Sequence, residues 1–163
     1  MARDLVTPGP DRNSHSQGAL DGAKSSRVGL VQSVELAENA GRARAISAVF
    51  TPFAIGGGSH DVVVLRRDGM LAHYHIDANN GSFIGVTDQK VASLMTSLTP
   101  DAGGAAKLSL RDAVSIIESR APERRAIGAA AEQSGTTIEY EITVATADGD
   151  KSFHVSSNGD VSE

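Results

Sequence analysis

Two stretches of the chain carry nearly the same pattern. Asp68 to Phe83 reads DGMLAHYHIDANNGSF, and Asp148 to Val161 reads DGDKSFHVSSNGDV. Each has Asp-Gly, a short gap, an aromatic residue, a His and a β-branched residue, then Asn-Gly and an apolar residue. The two Asp-Gly pairs lie 80 residues apart in a chain of 163. A fixed internal period points to copies of one small unit. A unit of about 60 residues buries too little surface to be robust alone, so the two are expected to pack together.

The pattern around these stretches predicts the unit. Residues 1–26 are rich in Pro, Gly, Ser and Asp without apolar periodicity, which predicts a disordered arm. A first unit spans 27–86. It begins with a helix over 28–40, where Leu30, Val34 and Ala37 make an apolar stripe and Gln32, Glu35 and Glu38 face away. Ser25 or Ser26 can cap its start and Gly41 can end it. Strands follow at 45–53, 62–66, 71–77 and 82–86, joined by Gly56-Gly57-Gly58, Asp68-Gly69 and Asn80-Gly81. Residues 87–107 read as a connecting helix over 87–98 and a small-residue linker. A second unit spans 108–163. Leu110, Val114 and Ile117 repeat the stripe, Ser109 and Asp112 form a capping-box pattern, and Pro122 stops the helix. Ile138, Tyr140, Ile142 and Val144 alternate with polar residues as in a half-buried strand. Residues 126–132 have helical composition, but their counterpart at 45–50 is β-like, so they too are assigned as a strand. The fold class is therefore α+β: two tandem units, each a helix lying on a small antiparallel sheet.

Net charge is −5, so no basic footprint suggests nucleic acid. There is no cysteine, which excludes a disulfide framework, a thiolate metal site and a Cys nucleophile. No apolar run is long enough to span a membrane. Met1 to Leu5 carries no apolar signal-peptide core, so Met1 is either a cytoplasmic start or the replacement of a removed signal.

The second unit (LSLRDAV, a Pro after the helix, the strand YEITV, Asp-Gly, and the closing VSSNGDV) resembles a PepSY domain. In the first unit, Ile76-Asp77-Ala78-Asn79-Asn80-Gly81-Ser82-Phe83 is similar to that family's closing motif. The second copy departs from it, being one residue shorter with Ser156 in the Asp position, and the first helix has Gly29 where the second has Ser109. The resemblance implies a non-catalytic protein-binding or regulatory module of the bacterial cell envelope, periplasmic or extracellular. It implies a protein partner, with a peptidase the leading candidate, and no cofactor.

The remaining candidates are side-chain clusters. His73, His75 and Asp77 alternate onto one face of a strand, the spacing at which two imidazoles and a carboxylate can meet one ion. These three are the candidate metal ligands, and they carry the alternative function, a small-ligand or metal-binding protein using the His-bearing face or the cleft between the units. A solvated strand face is the ordinary reading of the same residues. His75 and His154 occupy matching places and could make a pH-dependent contact. Gly56-Gly57-Gly58 lacks the Lys-Ser/Thr of a phosphate loop and reads as a turn. Ser109, Ser115 and Asp112 have no positioned base, so no catalytic residue is assigned. Glu139 and Glu141 read as solubilising, and Arg120, Arg124 and Arg125 as a salt-bridged surface.

Overall fold

The computed structural model describes residues 12–89, 106–120 and 125–163. The elements in chain order are α1 (Arg12–Ser25), α2 (Leu30–Gly41), β1 (Ala45–Pro52), β2 (Gly58–Leu65), β3 (Leu71–Asp77) and β4 (Phe83–Gln89). After them come α3 (Leu110–Arg120), β5 (Arg125–Ser134), β6 (Thr137–Thr146), β7 (Gly149–Val155) and β8 (Val161–Ser162). All eight strands form one antiparallel sheet in the order β4-β3-β2-β1-β5-β6-β7-β8. The α+β class expected from the sequence is observed.

The middle of the sheet is a short ladder between β1 and β5, with Ser47 opposite Ala130, Ala48 opposite Ala129 and Val49 opposite Gly128. On either side of it lies a helix followed by a four-strand meander. Both meanders carry a bulge near the start of their first strand, between Ala45 and Ser47 and between Ala126 and Gly128. The Ala-rich segment 126–132 is a strand, as its counterpart suggested: cross-strand pairing on two sides overrides its helical propensity.

α2 and α3 pack on one face of the sheet. Leu30, Val34 and Ala37 of α2 and Leu110, Val114 and Ile117 of α3 are buried in one core with Val62, Val64, Tyr74, Ile76, Ile142, Val144, Phe153 and Val155. This apolar face supplies most of the driving force for folding. The capping box forms in both directions. Ser109 N donates to Asp112 Oδ2 at 3.0 Å, and Asp112 N donates to Ser109 Oγ at 3.2 Å.

Several details depart from the sequence reading. Residues 12–25 of the expected disordered arm form α1, which packs against β1, β5, β6 and β7. Ala19 and Leu20 are buried there, and a Cβ on Gly22 would meet Phe50 Cζ at 3.2 Å. Small residues that looked like disorder thus allow close docking, and tertiary packing stabilises a helix with little stripe of its own. Ser25 and Ser26 do not cap α2. Their hydroxyls donate back to Gly22 O, closing α1, and Gly29 is the N-cap of α2. Gly41 does not end α2 in the left-handed position either; Arg42 does, with φ 53°. Gly41 serves proximity instead, since a Cβ there would lie 3.0 Å from Val64 Cγ1.

Glu38 does not simply face solvent. Its Oε1 accepts from Ala45 N at 2.9 Å, and in the other half Glu118 Oε1 accepts from Ala126 N at 3.2 Å. Burial pushes both carboxyls above their ordinary range, opposed by these backbone bonds. β2 begins at Gly58, earlier than the predicted strand, and β7 begins at Gly149. Thr87 to Gln89, read as the start of the connecting helix, belong to β4. The rest of that predicted helix, the linker through 105, Pro122 and Arg124 lie outside the described residues.

Candidate functional site

With α2 and α3 on one face, the other face of the sheet carries the residues that alternate away from the core. Its middle is built of small side chains: Ser47, Val49, Val63, Gly128 and Ala130. Val49 is 52% exposed at the centre.

On the β2–β3 side of this floor, Asp61 lies directly opposite His75. Asp61 Oδ1 is 3.7 Å from His75 Nδ1 and 3.9 Å from His73 Nδ1. These distances exceed a hydrogen bond and suit an ion pair that forms when an imidazole is protonated. Asp61 Oδ1 and His73 Nε2 are shielded from solvent without a hydrogen bond.

On the far side, Glu141 lies opposite His154 in the same cross-strand relation. Glu139 and His154, with Ser156, Asp160, Val161 and Ser162, line a shallow pocket at the β7–β8 edge.

The structure places His73 and His75 beside Asp61, while Asp77, on the same face of β3, is engaged in a turn. Asp77 Oδ1 accepts from Asn79 N at 2.7 Å, which commits it to the turn before β4. Asp61, which the sequence reading did not single out, occupies the expected place. Counting equal steps back from the Asp68-Gly69 hairpin places Asp61 opposite His75, so hairpin register was the available signal. Among the described residues, no three His, Asp or Glu side chains are arranged to hold a metal ion. His75 and His154 stand in different halves of the sheet, on β3 and β7, with four strands between them in the sheet order.

A second pairing also escaped the sequence reading. Ser33 Oγ on α2 lies 2.6 Å from His60 Nδ1 on β2. The pair looks like a hydroxyl nucleophile with its base, but Ser33 is 0% and His60 3% exposed, so no substrate can reach it. Phe50 packs its ring 5.3 Å from the imidazole. Burial disfavours the imidazolium and lowers the His60 pKa to about 4, so it is a neutral core residue at pH 7. The Gly56–Gly58 loop is a hairpin connection, as read. Gly56 and Gly57 have positive φ, and a Cβ on Gly58 would lie 2.4 Å from Thr51 O.

The fold and this face define an α+β protein with one open antiparallel sheet. No protein-family model matches the chain, and no curated protein is similar to it. A solved structure from Clostridium difficile 630, described as a "putative lipoprotein", shares the fold with a TM-score of 0.50 and 12% identity. The match covers 85% of this chain and 92% of that one. Among the described residues, no helix is long and apolar enough to cross a membrane.

Proposed function

We propose that the chain is a non-catalytic, protein-binding module of the bacterial cell envelope, made of two PepSY-like copies joined through β1 and β5. The observation that carries the binding role is the sheet face left open by α2 and α3 among the described residues, with Val49 exposed at its centre. An open sheet face of mixed apolar and polar side chains, without a concave pocket at its centre among the described residues, suits a macromolecular partner better than a small molecule. The buried Ser33–His60 pair gives the chain no accessible nucleophile and base there.

Several matching details support descent from one unit. The stripe Leu30, Val34, Ala37 recurs 80 residues on as Leu110, Val114, Ile117. Glu38 and Glu118 cap the first strand of their own half, and the two bulges match. A Cβ on Gly81 would meet Leu36 and Val28, and one on Gly159 would meet Leu108 and Ile116. The envelope location is supported by the resemblance to PepSY domains and by the description of the Clostridium difficile neighbour.

The partner we favour is a peptidase, restrained by contact with the open face. The test is inhibition of a panel of secreted bacterial peptidases by the wild-type chain and by Val49→Asn. Inhibition of at least one peptidase, weakened by the substitution, is expected. No binding and no inhibition across the panel would remove the peptidase role. The alternative, a metal or small-ligand site at His73 and His75, has less support because Asp77 is committed elsewhere.

A further inference from the structure

Cross-strand register sets a specific charge pattern on the open face. Glu132 lies directly opposite Glu139, and Glu141 follows two residues along the same strand. Like charges facing each other across a ladder destabilise the pair. None of these three carboxylates forms an ion pair among the described residues. Asp61 adds a fourth acid two strands beyond the β1–β5 junction from Glu141.

Basic side chains near the middle of the sheet lean to the helix side. Arg44 Nη1 donates to Ala106 O at 2.6 Å, and Arg111 Nη1 lies 3.5 Å from Glu35 Oε1. The two sides of the sheet are thus electrostatically different. The open side carries Glu132, Glu139, Glu141 and Asp61 around a small apolar floor, with the imidazoles of His73, His75 and His154 beside Asp61 and Glu141, and the facing Glu132 and Glu139 form no ion pair among the described residues.

We infer that the open face docks a cationic polypeptide segment, with apolar side chains over Val49 and Lys or Arg side chains over Glu139, Glu141 and Asp61. The inference rests on the open face being the binding surface and adds the chemistry of the partner. Cations arriving over Glu132 and Glu139 relieve the repulsion between them, and opposite potentials speed the encounter and fix its orientation. An amphipathic helix with a Leu stripe flanked by Lys has this arrangement.

The test uses the whole chain and two labelled peptides of about 18 residues, one Leu/Lys and one Leu/Glu amphipathic helix, followed by fluorescence anisotropy. The Lys peptide is expected to bind and the Glu peptide not. Glu139→Lys and Val49→Asn are each expected to weaken binding about tenfold, within the range of single interface contacts. Glu35→Lys, an equal charge change on α2, is expected to leave it within about twofold, as off-site surface substitutions do. Circular dichroism melts confirm that each variant is folded. Equal weakening by Glu35→Lys and Glu139→Lys, with Val49→Asn silent, reduces the binding to general attraction and overturns the inference. Preferential binding of the Glu peptide, lost in Val49→Asn, overturns the partner's charge but leaves the face as the binding surface. Self-association of the chain that is lost in Val49→Asn places a second copy on the face and also overturns the inference.

Discussion

Ser33 Oγ and His60 Nδ1 meet at 2.6 Å inside the core between α2 and β2, and the burial of this imidazole makes stability depend on pH. His60 in the folded chain has its pKa lowered from 6.5 to about 4 by burial. The unfolded chain therefore takes up this proton first as pH falls. The contribution is fully present above about 6.5 and is lost progressively down to about 4. The loss is on the order of 3 kcal/mol across that window. Urea midpoints at pH 7, 5.5 and 4 are expected to fall in turn. In the double variant Ser33→Ala/His60→Leu the fall should be smaller. Glu38 and Glu118, with raised pKa values, act in the opposite sense, so the comparison of variants isolates His60. An identical pH profile for both proteins would contradict this account of the pair.

Glu38 and Glu118 each hold the first strand of their own half by one backbone N–H. Glu38→Ala leaves the Ala45 N–H without that acceptor and is expected to destabilise by about 1–2 kcal/mol. Glu118→Ala should act on Ala126 to a similar degree. Glu38→Gln keeps an acceptor oxygen and should lose less than Glu38→Ala. Equilibrium denaturation of the three variants checks this. A Glu38→Gln loss as large as that of Glu38→Ala would mean that charge, not the hydrogen bond, matters here.

Two glycines of one loop should respond differently to alanine. At Gly58 a Cβ would sit 2.4 Å from Thr51 O and 2.5 Å from Phe50, so the β1–β2 hairpin has to shift. At Gly56 nothing lies within 4 Å, and only the φ of +85° opposes a side chain. Gly56→Ala is expected to destabilise by about 1–2 kcal/mol, the usual penalty of a left-handed conformation. Gly58→Ala should destabilise more, about 3 kcal/mol, with over-packing as the cause. Thermal melts of the two single variants decide the order.

Asp112 accepts from Ser109 N, and this bond is the main reason its carboxyl sits below its ordinary range. Removing either side of the capping box, in Ser109→Ala or Asp112→Ala, is expected to destabilise by about 1 kcal/mol near pH 7. The Asp112 part is present above pH 3.8 and disappears as pH falls through the lowered value. A difference between wild type and Asp112→Ala that persists unchanged at pH 2 would contradict this.

Much of the fold was legible because its signals are local. The alternation from Ile138 to Val144, the paired helix stripes, the Asp-Gly and Asn-Gly turns and the Ser109–Asp112 cap are patterns of adjacent residues. What escaped depends on distant partners. α1 owes its place to Phe50 and to the absence of a side chain on Gly22, neither of which shows in the periodicity of 12–25. Glu38 looked solvent-facing because the N–H it caps belongs to β1. The candidate site was half legible. His73 and His75 were visible from alternation along one strand, but Asp61 enters from the next strand and only the hairpin register reveals it. The facing of Glu132 and Glu139 likewise required the β5–β6 pairing.

The central claim is that the sheet face opposite α2 and α3 is the working surface. The most direct measurement is an NMR titration of the labelled chain with the Leu/Lys peptide, read residue by residue. The account requires shifts at Val49, Val63, Ala130 and Glu141 on the open face, with Leu30, Val34, Val114 and Ile117 in the helix-side core unmoved. Shifts confined to the outer surfaces of α2 and α3, with Val49 and Ala130 unchanged, would contradict it.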